Sequence, residues 1–256
     1  MDAFTRRQLH ALSRAFYDER AAAFDASRVD LPWPGWERLR ARLPDGRPSV
    51  LDVGCGNGRF AAWLAASGLA FDYVGTDASE ALLAAARERV GPRLAEAGCE
   101  ARFVAQDFLE TPDAPGAALP EGPFSLVALM GVLHHVPGRE TRAGLVTAAA
   151  ARLAPGGLLA LTLWRFAGRP RFEKRIVDWS EVEPVLGGPI DVGALEDGDA
   201  LLRFGDDPKA APRYCHETDE AEIADWQAVT GLETVDLFSA DGAQGDLNRH
   251  WIARKS

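Results

Sequence analysis

Three aspartates and one glycine-rich run are the residues of this chain whose types and spacing could do chemistry. The run is Leu51-Asp52-Val53-Gly54-Cys55-Gly56-Asn57-Gly58-Arg59. Glycines at every second position let a chain turn tightly and bring backbone N–H groups against a ligand at the start of the next helix. A dinucleotide fingerprint requires its third glycine where Arg59 stands, and the carboxylate of Asp52 suits a cationic ligand better than a pyrophosphate. Gly75-Thr76-Asp77-Ala78-Ser79 places a second acid 23 residues after Gly54, where a carboxylate can accept both hydroxyls of a ribose. In Ala105-Gln106-Asp107-Phe108, Asp107 can accept from an adenine amino group while Phe108 offers an apolar contact. Each acid alone reads as a strand-end or helix-cap residue. Together they read as an adenosine site.

Such a site needs elements that bring the three acids to one edge. Ser49 to Val53 is a short apolar run ending in glycines, followed by a helix over 59–66 that Gly68 closes. Phe71 to Thr76 reads as a strand, Glu80 to Val90 as a helix, and Arg102 to Ala105 and Phe124 to Met130 as strands. Thr141 to Leu153 reads as a helix, Pro155-Gly156-Gly157 as a turn and Leu158 to Leu163 as a fifth strand. Strands apolar on both faces and alternating with helices imply a mostly parallel sheet covered by helices. Ligands on such sheets bind beyond the carboxyl ends of the strands. Upstream, residues 6 to 47 read as helical pieces broken at Leu31-Pro32-Trp33-Pro34-Gly35-Trp36. A helix over Glu220 to Val229 and strands over Glu233 to Phe238 and Asn248 to Arg254 would close the sheet as a hairpin. The expectation is a single domain over 1–256, with a helical cover over 1–47, a core over 48–165, an irregular insertion over 166–216 and closing elements over 217–256.

The chain of 256 residues is 47% hydrophobic and 26% charged, enough for a sizeable core. It has no run near the roughly 18 apolar residues of a membrane helix, and its first residues lack a signal peptide's apolar stretch. A soluble, cytoplasmic protein with no membrane partner is expected. Cys55, Cys99 and Cys215 are far apart, so neither a disulfide framework nor a metal site is expected. A net charge of −10 argues against nucleic acid only if it is evenly spread. Residues 178 to 241 hold 17 Asp and Glu against three Lys and Arg, which leaves the remainder at +4.

With these motifs the chain resembles the class I S-adenosylmethionine-dependent methyltransferases, across about residues 12 to 165 and the closing strands. The resemblance implies a Rossmann-like α/β fold with a seven-stranded, mostly parallel sheet and an antiparallel closing strand. It also implies S-adenosyl-L-methionine as cofactor. Asp52 and the loop of Gly54, Cys55, Gly56, Asn57 and Gly58 would hold its methionine part, with Cys55 only a small loop residue. Asp77 would hold the ribose, Asp107 and Phe108 the adenine, and the backbone near Met130 the amino group, with Ala78 also in the cofactor site. Tyr17, in Phe16-Tyr17-Asp18, matches an aromatic that covers the cofactor, and reads equally as a core residue.

The acceptor sets what else is needed. A phenol or alcohol wants a base, for which His134 and His135 are candidates, whereas a carboxylate needs only donors that orient it. Further elements are similar to the tRNA wobble-uridine carboxymethyl methyltransferases: Phe24-Asp25-Ala26-Ser27-Arg28, Trp33-Pro34-Gly35-Trp36, Leu163-Trp164, and Arg213-Tyr214-Cys215-His216. That likeness implies tRNA as a partner and, for some members, a small activator subunit. On this reading Arg28 and Arg213 flank an acceptor carboxylate, with Trp33, Trp164, Tyr214 and His216 as walls. Either arginine reads otherwise as a structural ion pair. The long basic insertion of eukaryotic members is missing, but Arg165, Arg169, Arg171, Lys174 and Arg175 with Phe166 and Phe172 could hold single-stranded RNA, or form a solvated loop. The alternatives are a small-molecule O-, N- or C-methyltransferase of secondary or quinone metabolism, and a non-catalytic binding subunit.

Overall fold

The computed structural model describes residues 1–26, 32–111, 114–186, 188–205 and 210–256. In chain order the strands are β1 (Ser49–Val53), β2 (Asp72–Asp77), β3 (Glu100–Ala105), β4 (Phe124–Met130), β5 (Leu153–Trp164), β6 (Ile176–Val177), β7 (Asp199–Arg203), β8 (Pro212–His216), β9 (Glu233–Ala240) and β10 (Asn248–Arg254). The helices are α1 (Ala3–Ala26), α2 (Trp36–Arg40), α3 (Arg59–Ala66), α4 (Glu80–Arg89), α5 (Gly91–Glu96), α6 (Arg139–Ala151), α7 (Pro170–Glu173), α8 (Glu183–Leu186) and α9 (Glu220–Thr230).

Seven strands form the main sheet in the order β3-β2-β1-β4-β5-β10-β9. The first five are parallel, and β10 runs antiparallel between β5 and β9. This is the Rossmann-like methyltransferase arrangement expected, and its order reverses between β1 and β4, where a ligand crevice opens. The strand side chains alternate with period two. Leu51, Val53, Val127, Leu129, Leu159 and Leu161 join α6 and α9 on one face. Val50, Leu126, Ala128, Leu158 and Ala160 join α2, α3, α4 and α5 on the other. Burial on both faces is why these strands are apolar throughout.

Three expectations change. Residues 3–26 form one continuous helix because Thr5, Gln8, Leu9, Leu12, Ser13 and Phe16 make a buried stripe at three and four spacing. Pro155-Gly156-Gly157 lies inside β5, beside a register shift opposite Phe124 and Leu126, and Gly156 takes φ +75° there. The insertion over 166–216 carries a second, three-stranded antiparallel sheet, β6-β7-β8. Its two faces are both covered. Leu201 and Tyr214 pack on Leu9 and Leu12 of α1, while Leu202 and Cys215 pack on Phe166 and Phe172. Among the described residues no helix is long and apolar enough to cross a membrane.

Candidate active site

The carboxyl ends of β1, β2 and β4 and the turn after β3 face one cavity of about 210 Å³, which α1 also lines. Gly54, Gly56 and Gly58 all take φ between +54° and +78°, a region side chains rarely enter. At Gly56 nothing lies within 4 Å of where a Cβ would be, so the loop backbone is open to a ligand. Asp52 sits at the floor, 1% exposed. The Tyr73 hydroxyl donates to its Oδ2 at 2.8 Å, and its Oδ1 has no hydrogen-bond partner among the described residues. Burial pushes this carboxyl up to about 7, aided by the charge of Asp77 and opposed by the Tyr73 bond and Arg59.

Asp77 accepts from the backbone N–H of Gly56 on Oδ2 and of Ser79 on Oδ1, both at 2.8 Å. Burial raises its carboxyl and those two bonds oppose the rise. The bonds fix its orientation while a second lone pair on each oxygen stays available. Asp107 accepts from Arg14 Nη1 at 3.0 Å and from Leu109 N–H at 2.9 Å, with His10 Nε2 at 3.2 Å. Burial pushes Asp107 up, but the bond and charge of His10 prevail and hold it below the usual carboxylate range. His10, Arg14 and Tyr17 are spaced four and three apart on α1 and so face the cavity together. That spacing is readable in the sequence, but only Tyr17 stands there in a motif that points to the cofactor. The Tyr17 hydroxyl meets His135 Nε2 at 2.8 Å, and His135 Nδ1 faces the Tyr214 carbonyl at 2.9 Å. A carbonyl only accepts, so Nδ1 carries the proton and, in the neutral ring, Nε2 accepts from Tyr17.

A methyltransferase domain model matches residues 50–157. A trans-aconitate 2-methyltransferase from Methylobacterium radiotolerans is 30% identical over 206 residues, 76% of this chain and 72% of that protein. The chain belongs to the class I S-adenosylmethionine-dependent methyltransferases. A probable tRNA methyltransferase 9B from Mus musculus is 30% identical over 181 residues, 68% of this chain but only 34% of that longer protein. Among solved structures, a Burkholderia thailandensis 1,6-didemethyltoxoflavin-N1-methyltransferase with bound S-adenosylhomocysteine aligns at TM-score 0.61 and 20% identity, over 100% of this chain and 92% of that one.

The methyltransferase therefore takes S-adenosyl-L-methionine, and the residues present fit it. The cofactor's charged ammonium and sulfonium suit a buried acid with an orphaned oxygen, and its neutral adenosine suits fixed acceptors beside the apolar Phe108. Of the residues assigned to it from sequence, Tyr17, Asp52, Gly54, Cys55, Gly56, Asn57, Asp77, Ala78, Asp107, Phe108 and Met130 all line the cavity. Gly58 instead shapes the start of α3. Asn57 donates through Nδ2 to Asp25 at 2.9 Å, which ties the loop to the end of α1.

Of the residues assigned from sequence to the acceptor, Trp33, Trp164, His135 and Arg213 line the cavity, while Arg28 lies outside the described residues. Trp33 is held there by a buried network. Asp241, in the left-handed region at φ +68°, accepts from Gly35 N–H at 2.9 Å, Asn248 Nδ2 at 2.8 Å and His250 Nε2 at 2.7 Å. Arg59 covers the Trp33 ring, 4.3 Å from its centroid.

The block Arg213-Tyr214-Cys215-His216 does not act as one wall. Side chains alternate along β8, so Arg213 faces the cavity while Tyr214 and His216 face away from it. Tyr214 is fully buried with its hydroxyl donating to Asp199 Oδ1 at 2.7 Å, and His216 lies between Asp199 and Glu222. Phe166 and Phe172 are also corrected: they are buried beneath Trp164 and present no ring to a base. Arg169 is paired with Asp246 at 2.9 Å, while Arg165, Arg171 and Lys174 are exposed.

Proposed function

We propose that this methyltransferase esterifies a carboxylate, forming a methyl ester. Arg213 carries the reading. It is 5% exposed, lines the cavity, and its Nε and Nη1 have no hydrogen-bond partner among the described residues. Phe16, Phe204 and Trp164 surround its guanidinium at 5.1, 5.5 and 5.7 Å. Buried donors without acceptors are costly, at about 1–3 kcal/mol or more for a charged group. A ligand carboxylate offers two oxygens to a planar fork and relieves that cost.

When bound, S-adenosyl-L-methionine supplies an electrophilic methyl carbon on its sulfonium, and attack by the acceptor oxygen releases S-adenosylhomocysteine. The chain's part is alignment and exclusion of water. Asp52 would hold the cofactor's methionine part, Asp77 its ribose and Asp107 with Phe108 its adenine, and Arg213 would orient the acceptor. A carboxylate is already ionised at neutral pH, so His135 orients Tyr17 rather than abstracting a proton.

Two sources supply such an acceptor. A carboxymethyl group on a tRNA wobble uridine is supported by the tRNA methyltransferase 9B relative and by the exposed Arg165, Arg171 and Lys174. A small free acid is supported by the trans-aconitate relative and by the burial of Phe166 and Phe172, which removes the stacking surface an RNA loop needs. The test incubates the protein and labelled S-adenosyl-L-methionine with bulk tRNA in one arm and with a panel of small carboxylic acids, trans-aconitate included, in the other. Nucleoside or small-molecule mass spectrometry then reads the product. A transferred methyl released by mild alkali supports the ester, and an alkali-stable methyl on nitrogen or carbon overturns it. Steep loss of tRNA binding with rising salt supports the RNA source.

A further inference from the structure

The polar cluster behind β8 takes no part in the site as described, yet it reaches that site through hydrogen bonds on both sides of Tyr214, whose hydroxyl joins the cluster and whose backbone carbonyl meets His135. Arg142 of α6, fully buried, holds Glu222 of α9 through Nε and Nη2, both at 2.8 Å, and Glu196 through Nη2 at 2.7 Å. His216 Nε2 faces Glu222 Oε1 at 2.8 Å and its Nδ1 faces Asp199 Oδ1 at 2.7 Å. Asp199 lies directly opposite His216 in the β7–β8 pairing and also accepts from the Tyr214 hydroxyl. The Tyr214 carbonyl accepts from His135 Nδ1, and His135 Nε2 meets Tyr17 in the cavity.

We propose that His216 is a positioning residue: as an imidazolium bridging Asp199 and Glu222 it locks β8, and so sets the tautomer of His135 on the cavity wall. Both of its ring nitrogens face carboxylate oxygens, and a neutral imidazole has one N–H to give. With one proton, a nitrogen lone pair would oppose a carboxylate at hydrogen-bond distance in a site only 1% exposed to solvent. The groups around the ring agree. Asp199 on β7 and Glu222 on α9 favour the charged form, Arg142 on α6 and burial oppose it, Glu196 lies behind Arg142, and the Tyr214 hydroxyl on β8 donates to the same Asp199 oxygen. Burial lowers the His216 ring's affinity for its second proton, but the bonds to Asp199 and Glu222 prevail and raise it above the ordinary value.

The consequence for the site is geometric. Arg213 is three residues from His216 on the same strand, on the opposite face, so whatever locks the network face also fixes the guanidinium. The acceptor reading enters only through the role of Arg213. The protonation states can be read with no acceptor present, so failure here and failure of that reading are separate results.

The test is side-chain nitrogen NMR of the ¹⁵N-labelled protein, with and without S-adenosylhomocysteine, assigned by His216→Gln and His135→Gln. In the unmodified protein His216 should carry both ring protons at a pH above the ordinary imidazole value of about 6.5. His135 should carry its proton on Nδ1. When His216 finally titrates, the His135 resonances should move with it. Glu222→Gln should shift the His216 titration downward and carry the His135 response down too. A singly protonated His216 below the ordinary value, a proton on His135 Nε2, or His135 resonances indifferent to the His216 titration would each overturn the proposal. Through-bond correlations from backbone to ring in the unmodified protein give the same assignments, so a variant that fails to fold leaves the first measurement decidable.

Discussion

Asp52 offers the sharpest test of the cofactor site, because its environment sets both a sign and a size. Its carboxyl is raised from 3.8 to about 7 chiefly by burial, with one oxygen left without a donor. At about 1.4 kcal/mol per unit, ionising Asp52 in the ligand-free protein costs roughly 4 kcal/mol. A cationic ligand that needs the ionised form must displace the proton. Only half of the sites are ready at pH 7, about a tenth at pH 6 and about a hundredth at pH 5. The affinity for S-adenosylhomocysteine should therefore fall about fivefold from pH 7 to 6 and about tenfold over the next unit. The ligand's own amino group titrates near 8 and above, so the acid limb isolates the protein.

Isothermal titration in two buffers of different ionisation heat reads both the affinity and the protons released, which should be near one half at pH 7. Asp52→Asn should bind weakly with no pH dependence over that range. The stability signs are opposite. An acid whose folded value is raised stabilises the protein fully below 3.8 and loses that contribution as pH rises through about 7. Ligand-free Asp52→Asn should thus melt higher than the unmodified protein at pH 8 and no higher at pH 4. A flat affinity between pH 5 and 7 with no proton release would refute the assignment of Asp52 to the cofactor's cationic part.

Three further outcomes follow from named contacts. Arg213→Leu should lower methyl transfer to an acid acceptor by roughly 10- to 100-fold, the worth of one charge-assisted bond to about twice that, while S-adenosylhomocysteine affinity stays the same. Gly35→Ala should destabilise the fold by about 1–3 kcal/mol in urea unfolding, because a Cβ there would lie 2.3 Å from His250 Nε2 on a ring held by Asp241 and stacked on Phe238. Burial pushes Glu222 up, but its bonds to His216 and Arg142 hold it at about 2, below the ordinary 4.5. Its contribution, about 3 kcal/mol, is present above 4.5 and lost as pH falls through about 2. Urea midpoints across the acid range should show that loss, and Glu222→Gln should flatten it.

The central sheet and the cofactor edge were legible in the sequence for a physical reason: their signals are local. A strand buried on both faces is apolar at every position, and the turn after β1 requires φ values that glycine supplies at Gly54, Gly56 and Gly58. Each acid follows its strand directly, so finding the strand finds the acid. The helix α1 was less legible because its stripe of His10, Arg14 and Tyr17 is polar, and a polar stripe reads as solvent-facing until the cavity beneath it is known.

Of the residues expected around the acceptor, Tyr214 and His216 are the two that the structure places elsewhere, while Trp33, Trp164, His135 and Arg213 line the cavity. Arg213, Tyr214 and His216 form a compact motif, and proximity in sequence invites a shared role. A strand forbids it, because neighbours point to opposite faces. Once 212–216 is a strand with Arg213 in the cavity, Tyr214 and His216 must belong to something else, and the second face of β8 packs on α1 and the Arg142 network. The insertion reads as irregular in the sequence because β6 and β7 are only two and five residues long, too short for alternation to stand out among Gly, Pro and Asp. The same geometry couples the two halves of the motif. A single short strand carries Arg213 on the cavity side and His216 on the other, so substitutions at Tyr214 or His216 should disturb the site without touching it.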